Sequence, residues 1–206
     1  MPATLDTPQL LAIAAALGWA SGLRLYLVVF LTGAAGWFGW VELPAGLKLL
    51  QHPALLGASG FMLFIEFFAD KIPGVDTLWD LANTLVRIPA GAALAASVFG
   101  ADQATWATVA ALLGGTLAAT SHTAKATTRA AVNTSPEPFS NIGMSLLGDA
   151  FVPVTLWLSW EHPVVFAAVL LLSLAVAIVL IVVLGKFLRG LIRRASGWLR
   201  AGPPTV

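Results

Sequence analysis

The sequence predicts an all-α, polytopic membrane helix bundle, and three observations carry that prediction. Of 206 residues, 58% are hydrophobic and only 10% are charged, against roughly 25% charged in an ordinary soluble domain. Mean hydropathy is +0.87. Six apolar segments approach the roughly 20 residues that a helix needs to cross the hydrocarbon core. The net charge of +1 supplies no bulk field for nucleic acid, which is not expected as a partner. Cysteine is absent, so disulfides and thiolate chemistry are excluded.

The first segment runs from about Leu10 to Leu31 and is broken by Arg24. The lead before it, Met1 to Gln9, lacks the basic residues of a signal peptide, so the segment is read as a retained helix. A Gly/Trp/Pro-rich connection follows, and its Trp37, Phe38 and Trp40 suit the membrane interface. The second segment, about Pro53 to Phe68, carries Glu66 and ends in a turn around Asp70-Lys71-Ile72-Pro73-Gly74. The third, about Trp79 to Phe99, holds Arg87 and Pro89. The fourth, about Ala104 to Ala126, holds His122 and Lys125. Pro136 and Pro138 interrupt the chain before the fifth, about Phe139 to Trp160, which carries Asp149. The sixth, Val164 to Leu184, is apolar apart from Ser173.

The tail from Lys186 to Arg200 interleaves Lys186, Arg189, Arg193, Arg194 and Arg200 with leucine, isoleucine and tryptophan. It reads either as a basic amphipathic helix on an anionic surface or as a stop-transfer tail. The positive-inside rule places it in the cytoplasm, and six spans would put the N-terminus there too. The expected division is one transmembrane domain over residues 1–185 and a basic tail over 186–206.

A duplication is also expected. Pro53, Gly60 and Glu66 share their spacing with Pro136, Gly143 and Asp149, and Ala15–Gly18 before Arg24 loosely matches Ala111–Gly114 before His122 and Lys125. Repeats over about 10–100 and 104–185, three helices each, would be inverted in the membrane, a common transporter architecture. Chance similarity in an apolar alphabet is the alternative.

Ionisable residues inside spans are costly and point to function. Arg24 lies roughly 14 residues into the first segment, some 20 Å along a helix. The economical arrangement pairs Arg24 and Lys125 with Glu66 and Asp149. Such pairs can be structural, locking helix register, or can line a polar pathway for a proton or cation. Glu66 and Asp70 are four residues apart, as are Asp76 and Asp80, a spacing that a divalent cation can bridge. Asp70 to Asp80 is equally readable as a solvated loop, and no metal or cofactor is assigned. Asn133, Ser135, Ser140 and Asn141 form a polar break that either lines a substrate site or is an ordinary loop.

These same residues carry a resemblance. Glu66 to Asp76, then Trp79-Asp80, His122-Thr-Ala-Lys125 and Asn133 to Asn141 are similar to the DUF4126 family, over about residues 10–185. The resemblance implies a bacterial integral membrane protein of no established activity. It departs where the family tends to show an acidic pair, since Gly148 precedes Asp149 here.

The expected function is therefore a small inner-membrane transporter or channel moving an ion or small solute. Its expected pathway comprises Arg24, Glu66, Asp70, Lys71, Asp76, Asp80, Arg87, His122, Lys125, Asn133, Ser135, Asn141 and Asp149. Six spans leave little room for an enclosed pathway, so a homo-oligomer is expected. The alternative is a non-transporting factor that binds membrane lipid or partner proteins. An intramembrane enzyme using Ser135, His122 and Lys125 is disfavoured. No Gly-x-Ser-x-Gly or His-Glu-x-x-His motif is present, and His52 and His162 are expected on the opposite side from His122.

Overall fold

A computed structural model describes residues 5–72, 74–100, 103–134 and 138–200, without the side chains of 138, 195 and 197–200. Every regular element in it is helical: α1 (Thr7–Trp37), a short 3₁₀ helix (Ala45–Gln51), α2 (Pro53–Ala69), α3 (Val75–Ala96), α4 (Ala104–Val132), α5 (Pro138–Glu161) and α6 (Pro163–Arg200). Ser135 lies outside the described residues.

The ends of the helices follow local chemistry. Asp6 opens α1 by accepting from the Gln9 amide at 2.8 Å, and the Gln9 side chain accepts from the Asp6 amide at 3.2 Å. This is a reciprocal cap. His52 opens α2 through its Nδ1, with Pro53 at the first helical position. Gly74 opens α3 at φ +86°, a left-handed conformation that glycine adopts without strain.

The largest departure from the sequence reading is in α1. Arg24 has φ −148° and ψ 76°, outside the helical region, and the helix folds back at that point. Before Arg24, Gly18 lies on Gly114 and Gly22 lies on Ala118 and Ser121, so the arm 7–23 runs parallel to α4. Beyond it, Gly33 meets Leu50 and Leu56 while Gly60 meets Phe30, so the arm 25–37 runs antiparallel to α2. Leu5, Gln9 and Leu10 consequently share one cavity with Trp40–Ala45, Lys48 and Trp160–Glu161. The turn is held from α4. Ser121 Oγ donates to the Trp19 carbonyl at 2.7 Å and Lys125 Nζ donates to the Leu23 carbonyl at 3.0 Å. Leu23 ends the first arm, where a cation beside the terminal carbonyls is favourable, and the Ser121 hydroxyl adds a bond one turn earlier.

The remaining helices alternate in direction. Gly114 on Ala95, Gly115 on Ala92 and Thr84 beside His122 show α3 antiparallel to α4. Pro153, Leu156 and Trp157 of α5 share a cavity with Leu31, Thr32 and Ala35, so α5 runs with the second arm of α1. After the turn at His162, α6 runs back, placing Ala177 against Trp19 and Ala124. The expected six crossings are not confirmed. With α1 folded back, the described chain starts at one end of the bundle and α6 leaves from the other.

Three helices are long and apolar enough to cross a membrane, namely Thr7–Trp37, Phe139–Glu161 and Pro163–Arg194; the bent pair Ala45–Gln51 and Pro53–Ala69 makes a fourth if counted as one span. Because α1 doubles back, its length is not that of one straight crossing. The α3 and α4 segments do not meet that standard, because buried charges and Ala/Thr-rich turns lower their hydropathy. α6 continues unbroken through the basic stretch to Arg200.

Burial is inverted relative to a water-soluble domain. Arg24, Glu66, Asp70, Asp76 and Arg87 are at most 1% exposed, whereas Leu85 is 84% and Val164 82% exposed. Only 6% of the apolar stretch of α6 is buried. Charge inside and hydrocarbon outside is stable in lipid and not in water. Small residues allow the close approach of α1, α3 and α4. A Cβ at Gly57, by contrast, meets no atom within 4 Å. Gly57→Leu should leave the melting temperature in lipid nanodiscs unchanged, and a substantial drop would contradict the lipid-facing assignment.

Candidate functional site

The site lies at the end of the bundle away from Trp40 and Trp160, where the α1 turn, the α2–α3 turn, α4 and the first half of α5 converge. Five cations and five carboxylates form one connected network there: Arg24, Lys71, Arg87, Lys125 and Arg129 with Glu66, Asp70, Asp76, Asp80 and Asp149. The formal charges cancel.

Asp70 is the hub on one side. Its Oδ2 lies 2.8 Å from Arg24 Nη1, 3.1 Å from Lys125 Nζ and 3.0 Å from Arg129 Nη2. Asp80 is the hub on the other. It meets Arg87 at 2.6 Å, Lys125 at 3.1 Å and Arg129 at 3.4 Å. Arg87 also donates to Glu66 Oε1 at 2.5 Å. Arg24 reaches Asp149 at 2.7 Å and donates to Ser145 Oγ at 2.7 Å. Lys71 approaches Asp149 at 3.6 Å and lies over the Phe67 ring. Its amine lies in the turn between α2 and α3. Partial burial pulls its pKa below the ordinary lysine value, with the Asp149 carboxylate opposing.

A polar fringe surrounds the ion pairs. Asp76 Oδ1 accepts from the amides of Gly74 and Thr77 at 2.8 and 2.6 Å, tying the start of α3 into the network. Asn133 Nδ2 donates to Asp76 at 3.0 Å, and Asn141 Nδ2 donates to Asn133 Oδ1 at 2.5 Å. His122 lies 2.8 Å from Thr84 Oγ1 and 3.4 Å from Arg87 Nη1. Tyr26 donates to Asn83 Oδ1 at 3.0 Å.

Twelve of the thirteen residues singled out from the sequence meet here; the other is Ser135. The expected partners are only half right. Arg24 does pair with Asp149, but Glu66 pairs with Arg87, and Lys125 goes to Asp70 and Asp80. The alternative of a solvated Asp70–Asp80 loop is corrected by the burial of Asp70, Asp76 and Asp80. Asp70, Asp76 and Asp80 each face guanidinium or ammonium groups, and among the described residues no three His, Cys, Asp or Glu side chains form a cluster.

Arg129 was missed, although it is buried and contacts three acids. Two signals point to it. It follows Lys125 by four residues on one helix face, and without it the chosen acids outnumber the chosen Lys and Arg by one. Ser145 and Asn83 carry no comparable signal.

The carboxylate-bearing α2 and α5 run in opposite directions. Gly18 and Gly114, which the correspondence equates, lie on parallel segments packed against each other.

Two cavities flank the Arg24–Asp149 pair. One of about 390 Å³ lies among α1, α4, α5 and α6, and its lining includes Arg24, Lys125, Arg129 and Ser145. The other, of about 510 Å³, is walled by Leu27, Leu63, Phe64, Phe67 and Phe68 and includes Asp149.

Apolar surface, inverted burial and a neutral buried charge network together mark a helical membrane protein. Residues 11–183 match the family described as "Domain of unknown function (DUF4126)", and the chain belongs to it. No curated protein and no solved structure matches.

Proposed function

We propose that this chain is a small membrane transporter that moves an ion or small solute past its buried charges. The observation that supports this reading is the place of the Arg24–Asp149 pair. It links α1 to α5 at 2.7 Å with one cavity reaching Arg24 and another reaching Asp149. The pair thus stands between two spaces that approach it from opposite partners. The surrounding hubs favour an exchange of partners. Arg24 can fall back on Asp70, and Asp149 on Lys71, without leaving an unpaired buried charge. A proton or cation arriving at Asp149 would weaken the pair, and an anion arriving at Arg24 would compete for it. In this reading the basic end of α6 faces the cytoplasm of a plasma or inner membrane, and copies of the chain associate through their exposed apolar faces.

The test is flux in proteoliposomes, with protons followed by an internal pH dye and radiolabelled sodium, potassium and chloride run in parallel. Asp149→Asn should change the flux of the transported species at least about tenfold, the scale of one charge-assisted hydrogen bond. Glu66→Gln, which removes a partner of Arg87 away from the Arg24–Asp149 pair, should change it less. Unchanged flux in both variants would sink the proposal.

The alternative, a factor that binds lipid without transport, draws on α6, whose apolar stretch is almost wholly exposed and continues into a basic end. Truncation after residue 185 separates the readings. Loss of association with anionic vesicles at intact flux would assign the tail a lipid-binding role of its own.

A further inference from the structure

The cavity of about 390 Å³ among α1, α4, α5 and α6 has a divided lining. Its floor carries three cations, Arg24, Lys125 and Arg129, together with the hydroxyl residues Ser121, Thr128 and Ser145. Among its described lining residues there is no Asp or Glu, so the carboxylates that neutralise these cations lie behind them. The charged groups that line the cavity are thus all cations, although the network as a whole is neutral. The indole N–H of Trp19, also a lining residue and only 4% exposed, has no hydrogen-bond partner.

The walls are hydrocarbon. Leu147, Leu172 and Val176 form part of the lining and are themselves well exposed, so the cavity opens sideways between helices onto the lipid-facing surface. This opening therefore faces hydrocarbon, and a ligand that enters through it comes from the bilayer. A molecule with an anionic head and an apolar chain would satisfy floor and walls at once.

We infer that this cavity binds a single-chain anionic amphiphile, a long-chain carboxylate, entering from the bilayer. Its head would lie on Arg24, Lys125 and Arg129, with its first methylenes against Leu147, Leu172 and Val176. A monoanion suits the floor better than a phosphate dianion, because each of these cations already shares its charge with a buried aspartate. This binding does not depend on the chain's transporting anything.

Gly148 provides a clean test. It lines the cavity, and a Cβ added there meets only Arg24 Nε, at an ordinary 3.8 Å. Gly148→Leu thus fills the cavity without moving the backbone, and Ser173→Phe does the same from the α6 wall. The full chain in phosphatidylcholine nanodiscs would be titrated with radiolabelled dodecanoate, with empty discs as background and dodecanol and acetate as competitors. Saturable binding of about one dodecanoate per chain is expected, with neither competitor displacing it at equal concentration. Both filling variants should bind at least about tenfold more weakly, since the head can no longer reach its charged partners, with their melting temperature in apo discs retained. Absence of saturable binding overturns the inference. So does equal competition by dodecanol, which would mean an apolar crevice only, or by acetate, which would mean a small-anion site. Undiminished binding in whichever filling variant folds would overturn it as well.

Discussion

Arg24→Met should abolish the folded state or lower the melting temperature in nanodiscs by well over ten degrees. Arg24 is 1% exposed and holds Asp70 at 2.8 Å, Asp149 at 2.7 Å and Ser145 at 2.7 Å. Removing one member of a buried pair costs about 3–5 kcal/mol, because the remaining charge is left uncompensated. Here two carboxylates lose a partner. A whole domain holds only about 5–15 kcal/mol in reserve. Arg24→Lys should recover part of the loss, not all. A guanidinium reaches Asp70 through one nitrogen and Asp149 with Ser145 through another, whereas an ammonium offers a single point of charge. The check is a thermal melt by near-UV circular dichroism with size-exclusion of the solubilised protein. A Met variant that melts like the parent would show that the pairs contribute little and that the α1 turn is held by packing.

Gly18→Leu should be as damaging for a reason unrelated to charge. A Cβ at Gly18 would lie 2.5 Å from Gly114 Cα and 2.8 Å from its carbonyl oxygen. Both are backbone atoms, so no rotamer change relieves the overlap. Overpacking a close-packed site costs about 1–3 kcal/mol when neighbours can shift, and more when the neighbour is a helix backbone. The two helices must separate by about the width of a side chain. That would pull Ser121 and Lys125 away from the carbonyls of Trp19 and Leu23 and release the α1 turn. Loss of monodisperse protein is the expected readout, with Gly57→Leu as the lipid-facing control. A variant that stays folded would mean that α1 and α4 do not meet at these glycines.

The two substitutions show which features could be read from residues alone. An ionised side chain in an apolar run needs a partner whatever the fold, so Arg24, Glu66, Arg87, Lys125 and Asp149 announced themselves. Which acid each cation takes could not be read. Glu66 and Lys125 sat at plausible depths for each other until the α2–α3 turn was found buried, bringing Asp70 and Asp80 between them. Arg129 escapes because it lies beyond Ala126, where the apolar run of the fourth segment ends. The fold-back of α1 escaped for a related reason. No proline marks residue 24, and the Ser21-Gly22 pair just before it permits a kink without specifying one; a stretch long enough to span leaves no periodic trace of a reversal that its partners impose.

The sequence by itself determined the solvent, the helical class and the list of charged residues that had to be satisfied internally. Those follow from composition, because transfer of a charge or a backbone amide into hydrocarbon is costly in any arrangement. Only the tertiary structure decided the direction of each pass, the reversal at Arg24, the sharing of Asp70 and Asp80 among three cations apiece, and the cavity with a cationic floor. Those depend on distances between segments remote in the chain, and hydrophobic pattern carries no information about which remote segment comes near.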